Sequence, residues 1–130
     1  HSMAIFALTA SSFDETVSLP GITLVDFSAE WCGPCRAFAP TFERAAQLNP
    51  EIRFCKVDTE AESELAAEAR ISSIPTLLAF RDGHLVFRAS GAMPPWELTR
   101  VIKKVQHMDM DRVQARVHRR RRKAEARAAK

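Results

Sequence analysis

The chain reads as an α/β protein with a central mixed five-stranded sheet and helices on both faces. Two observations carry this. The run from Ile22 to Ala29 is almost wholly apolar, as a strand covered on both faces must be. Further on, Thr76 to Arg81 and His84 to Ser90 are strand-like and joined by Asp82-Gly83, the two-residue signal of a type I′ hairpin. A third, the alternation of strand-like and helix-like segments before that hairpin, gives the order βαβαβαββα.

Each element has its own signal. Ala4 to Thr9 is a short apolar strand, and Ser12-Phe13-Asp14-Glu15 has the Ser-x-x-Glu form of a capping box opening a short helix that Pro20-Gly21 ends. Arg36 to Leu48 keeps helical apolar spacing through Phe38, Phe42, Ala45, Ala46 and Leu48, with Pro40 expected to kink it and Asn49-Pro50 to stop it. Ile52 to Val57 alternates as a strand, and Thr59 to Ala69 is rich in Glu, Ala and Leu, hence helical. Pro94-Pro95 opens a last helix, whose Leu98, Val101, Ile102 and Val105 fall at i, i+3, i+4 and i+7.

The chemistry centres on Trp31-Cys32-Gly33-Pro34-Cys35, placed where the buried strand ends and a helix begins. Cysteine is a nucleophile only as thiolate, and a helix N-terminus favours the anion through unpaired N–H groups and partial positive charge. Two intervening residues bring both sulfurs into one turn, close enough for the second thiol to attack a disulfide made by the first. This requires the Cys32 sulfur to be ionised, uncovered and within reach of Cys35. Gly33 leaves room for a partner, and Pro34 lacks an N–H that a first turn would leave unpaired. Half a zinc site has the same spacing, but Cys55, His84, His107 and His118 repeat no paired spacing, so no metal is assigned.

A length of 130 residues and 46% hydrophobic content suit one domain with its own core. Three cysteines are unlike the dense even sets of secreted frameworks, which points to a reducing, cytoplasmic compartment. His1-Ser2 before Met3 is read as an expression scar; Ala4 to Ala10 is no signal peptide, and no run approaches the ~20 apolar residues of a membrane span. The net charge of +3 hides a division. Residues 1–111 hold 10 Lys or Arg against 15 Asp or Glu, giving −5, while residues 112–130 hold 9 against Glu125 alone, giving +8. The break separates a folded unit over 4–108 from a basic extension over 109–130.

Taken together, Val25-Asp26-Phe27, Ala29-Glu30-Trp31-Cys32-Gly33-Pro34-Cys35, Pro40, Lys56-Val57-Asp58, Ile74-Pro75-Thr76, Phe80, Asp82-Gly83 and Gly91-Ala92 resemble the thioredoxin family, over roughly residues 4 to 107. The resemblance implies the thioredoxin fold, with four helices flanking the sheet, and a protein disulfide reductase that maintains cell redox homeostasis by dithiol-disulfide exchange. Cys32 would attack and Cys35 resolve. Thioredoxin is itself the standard example of a nucleophile pKa near 7 and a potential of about −270 mV, so these figures enter as family properties. Pro34, where more oxidising relatives usually carry His, favours reductase over oxidase or isomerase. Asp26 matches the aspartate thought to help deprotonate the resolving cysteine, and burial on a covered strand would raise its pKa. Lys56 matches the lysine near it. Pro75 matches a cis proline opposite the cysteines, and Trp31, Gly33, Pro34, Ile74, Gly91 and Ala92 would form the apolar substrate surface around the sulfur. The family needs no bound cofactor; its electrons come from NADPH through thioredoxin reductase, which with disulfide-containing proteins would be the partners.

The sequence also departs from the family. Ser28 occupies a position that is tryptophan in one branch and serine in another. Ala69 and Arg70 stand where many members have an aromatic residue and glycine, which leaves that loop's shape open. Cys55 reads as a packing thiol. The tail Arg112–Lys130 has no counterpart: Val113, Val117, Ala124 and Ala128 recur at near-helical spacing, which would continue the last helix, while five successive charges from Arg119 to Lys123 suit a disordered, solvated segment equally. It could be merely solvated, or hold an anionic partner. An alternative to the reductase is therefore an adaptor on the same scaffold that binds nucleic acid or another acidic partner through the tail.

Overall fold

A computed structural model describes residues 5–129. Its elements are β1 (Ile5–Ala7), α1 (Phe13–Val17), β2 (Ile22–Ser28), α2 (Gly33–Leu48), β3 (Arg53–Asp58), α3 (Ser63–Glu68), β4 (Thr76–Arg81), β5 (His84–Ser90), α4 (Pro95–Gln106) and α5 (Met110–Ala128). The sheet runs β1-β3-β2-β4-β5, with β1, β3 and β2 parallel and β4 and β5 antiparallel to their neighbours. This is the mixed five-stranded sheet anticipated, with the tail forming a fifth helix.

Strand alternation divides the core in two. Ile22 and Leu24 of β2 face α2 and α4, packing with Phe38, Phe42, Leu98 and Val105; Val25 and Phe27 face α1 and α3, packing with Phe13, Val17 and Leu65. Every residue of β2 is buried, which explains why its sequence lacks the alternation of a half-exposed strand. The hairpin is as expected: Asp82 and Gly83 both take positive φ, 51° and 84°, as a type I′ turn requires.

Four expectations need correction. β1 spans three residues rather than Ala4 to Thr9, and Ala4, like His1 to Met3, lies outside the described residues. Ser12 precedes α1 but builds no capping box: its Oγ accepts the N–H of Thr9 at 3.0 Å and its side chain makes no bond to the helix. The helix expected from Thr59 starts at Ser63, because the Asp58 carboxylate takes the Glu60 N–H at 2.9 Å and turns the chain first. The basic tail is helical but does not continue α4, which stops at His107; Asp109 caps a new helix, accepting the N–H groups of Asp111 and Arg112 at 3.1 and 3.3 Å. Arg81 fixes that break by donating from Nη1 to the carbonyls of Val105, Gln106 and Met108 at 2.7, 3.0 and 3.1 Å. Lys130 lies outside the described residues.

The loop left open at Ala69-Arg70 closes α3 as a left-handed cap. Ile71 N–H bonds Ala66 O at 2.9 Å and Arg70 N–H bonds Ala67 O at 3.0 Å, with Arg70 at φ 57°. Arg88 donates to the carbonyls of both Ala69 and Arg70, so the shape is held from outside. A side chain at that φ costs roughly 1–2 kcal/mol that glycine avoids. Arg70→Gly is thus expected to stabilise the fold by about 1 kcal/mol, part of the gain being lost to the freer unfolded chain; urea denaturation at constant m-value measures it, and a loss of stability would contradict the account.

Candidate functional site

The site forms where β2 gives way to α2. Cys32 is the N-cap of α2, at φ −83° and ψ 118°, and its Sγ accepts the Cys35 N–H at 3.2 Å. A sulfur in that position receives an N–H that a helix start would otherwise leave unpaired, which stabilises it as an anion. Cys32 and Cys35 are joined as a disulfide, with Cα atoms 5.2 Å apart. Both are 4% exposed, so the Cys32 sulfur does not stand free as expected. It is bonded to Cys35 and packed with Ala29 against Ile74. Access remains beside it: Gly33 and Pro34 are exposed, and a Cβ built on Gly33 meets nothing within 4 Å.

The facing wall comes from the loop before β4. The Ile74–Pro75 bond is cis, and the Ile74 carbonyl oxygen lies 3.7 Å from Cys32 Sγ. Pro75 O accepts the N–H of Gly91 at 2.8 Å, while Thr76 Oγ1 reaches Ser73 O at 2.6 Å and Ser90 Oγ at 3.0 Å. Sequence reading missed this bracing by Ser73, Thr76 and Ser90; a hydroxyl residue directly after Pro75 was the available signal. Trp31 is 65% exposed, Gly91 and Ala92 are exposed, and Ile74 is half-buried. Pro75 itself is buried, so it shapes the rim from below.

Asp26 lies beneath. Alternation along β2 turns it to the α2 side, beside Lys56, its register partner on β3. It is wholly buried and neither carboxylate oxygen has a hydrogen-bond partner. Desolvation pushes its pKa up to about 6, against a smaller downward pull from the Lys56 ammonium. A cleft of about 480 Å³ brings Lys56, Ser28 and Cys35 onto one lining, so Cys35 and the lysine share one open space. Arg36, on the same lining, donates to Glu30 O at 2.8 Å and steadies the loop carrying Trp31. Cys55 sits apart in the opposite core, its thiol pushed up to about 11 by burial, and it takes no part. Among the described residues no group of three or more His, Cys, Asp or Glu could hold a metal ion, and no helix is long and apolar enough to cross a membrane.

Comparison with known proteins agrees with this geometry. The thioredoxin family model matches residues 4–104. A relative from Streptomyces coelicolor is 50% identical over 110 residues, 85% of this chain and 82% of its own length. The thioredoxin of Staphylococcus saprophyticus is 40% identical over 103 residues, 78% of this chain and 98% of that protein. Mitochondrial thioredoxin 3 from Saccharomyces cerevisiae, in its oxidized form, superposes with a TM-score of 0.72 at 31% identity, covering 78% of this chain and 96% of that one.

Proposed function

The chain belongs to the thioredoxin family and is a protein-disulfide oxidoreductase with a redox-active cysteine pair; from that premise we propose the following division of labour among its residues. In the reduced protein the Cys32 thiolate attacks one sulfur of a substrate disulfide. The substrate S–S bond breaks, a Cys32–substrate bond forms, and the leaving thiolate takes a proton. Cys35, deprotonated, then attacks Cys32 Sγ, releasing the second substrate thiolate and forming the Cys32–Cys35 disulfide. Two electrons pass from the protein to the substrate. Asp26 accepts the Cys35 proton, its raised pKa matching it to that task near neutral pH, and Lys56 favours the carboxylate that results. Trp31, Gly33, Pro34, Ile74, Gly91 and Ala92 around Pro75 seat the substrate chain.

The observation that carries this reading is Cys32 as the cap of α2, its sulfur held by the Cys35 N–H and bonded to Cys35 within one turn. Re-reduction comes from NADPH through thioredoxin reductase, and the working compartment is the cytoplasm; both are family expectations. Equilibration with a glutathione or dithiothreitol buffer tests the direction of transfer. The known thioredoxin potential, a family figure and not one obtained from this geometry, is about −270 mV. A value near it supports a reductase, whereas one at or above about −180 mV, the range of a disulfide isomerase, would overturn that direction.

A further inference from the structure

The sulfur chemistry leaves α5 unused. This 19-residue helix buries none of its residues. One flank lines a cleft of about 520 Å³ against His84, through Asp111, Gln114, Val117, His118 and Arg121. At 100° per residue those side chains fall on one side of the helix, and the opposite side carries Arg112, Arg116, Arg119, Arg120, Lys123 and Arg127, spaced at three- and four-residue steps except for the adjacent Arg119 and Arg120. All six are exposed. They form a stripe about 100° wide and, at 1.5 Å per residue, about 22 Å long. No acidic residue of the helix shares it, since Asp111 and Glu125 fall toward the other side. Like charges so spaced cost the helix a few tenths of a kcal/mol per pair, which a bound polyanion relieves.

We propose that α5 binds the sugar-phosphate backbone of double-stranded nucleic acid through this stripe, without reading sequence. Length and spacing favour it: a duplex presents phosphates continuously over 22 Å, and guanidinium groups pair with phosphate bidentately. An anionic membrane fits poorly, because an interfacial helix needs Trp, Phe or Leu on its apolar side and α5 offers only Met110, Val113, Val117 and alanines. Single strands fit poorly too, because the stripe carries no aromatic side chain on which bases could stack, His118 lying on the cleft side. The body, at −5, repels the same polyanion and confines it to the tail. The cleft against His84 lies at the turn end of the β4–β5 hairpin, while Pro75 and Gly91 lie at its other end, about 20 Å away along β5. A bound duplex therefore leaves the cysteines free.

The test uses the full chain and labelled duplexes of mixed sequence, one of DNA and one of RNA, titrated at several salt concentrations. Wild type is expected to give log K falling against log salt with a slope near −5 on DNA, about −0.9 per phosphate contact for six contacts. Two variants of equal charge then separate a stripe from diffuse charge. Arg116→Gln with Arg120→Gln removes two stripe groups, reducing the slope by about 2 and weakening binding on the order of tenfold per group at 0.1 M salt. Arg121→Gln with Arg122→Gln, off the stripe, leaves slope and affinity within about twofold. Equal losses in the two variants, no duplex binding by wild type at 50 mM salt, or tighter binding to anionic vesicles or polyglutamate than to either duplex would each overturn the proposal. Insulin disulfide reduction, followed in the same samples, is expected to be unchanged in both variants.

Discussion

Cys32→Ser is expected to abolish insulin disulfide reduction, to the rate of the uncatalysed reductant, while the fold persists. Serine keeps the cap, since its Oγ can accept the Cys35 N–H now taken by sulfur at 3.2 Å. What is lost is the nucleophile, for a hydroxyl is hardly ionised near neutral pH. Cys35→Ser has a different signature. The first bond still forms, nothing attacks Cys32 Sγ from within, and a mixed disulfide with the substrate accumulates in amounts approaching one per protein, visible by mass. Full activity in the double serine variant would refute the dithiol mechanism. Accumulation of the adduct on Cys35 instead of Cys32 would reverse the two roles.

The second large effect concerns Asp26. Its folded pKa of about 6 lies above the 3.8 of an unperturbed carboxyl, so folding favours the protonated form. The stabilising contribution is complete below pH 3.8 and is lost as pH rises through about 6. At 1.36 kcal/mol per unit, the ionised carboxylate costs the native state about 3 kcal/mol above that window. Asp26→Asn, neutral and of the same shape, removes this dependence. It is expected to gain about 3 kcal/mol over wild type at pH 8 relative to the difference at pH 3, measured by denaturant unfolding at both pH values. The same variant is expected to slow release of the mixed disulfide on the order of a hundredfold, the usual scale of a lost general base. A stability difference that does not change with pH would show that Asp26 titrates normally. Unaltered release would remove it from the proton path while leaving its burial intact.

How much of this was legible in the sequence varies with the distance over which each signal acts. The buried β2, the Asp82-Gly83 hairpin and the helix after Cys32 depend on neighbours a few residues away, and all three stand as read. The capping box failed because Ser12 found the Thr9 N–H before that of Glu15, a choice between two local donors that composition does not rank. Arg70 illustrates the opposite limit. Its left-handed backbone is imposed by the end of α3 and by Arg88, 18 residues on, and nothing in Ala69-Arg70 itself announces it. The pairing of Cys32 with Cys35 was visible from spacing, but the near burial of Cys32 was not, because Ile74 arrives from 42 positions later.

β2 is bonded on both sides, to β3 and to β4, and lies third of five strands. Such a segment gives up its amide hydrogens only when the whole molecule opens. In the proposed role of Asp26 the proton it takes therefore travels through the closed protein, and its titration should be complete in a small fraction of the time that the backbone amides of Val25, Asp26 and Phe27 need to exchange with deuterium.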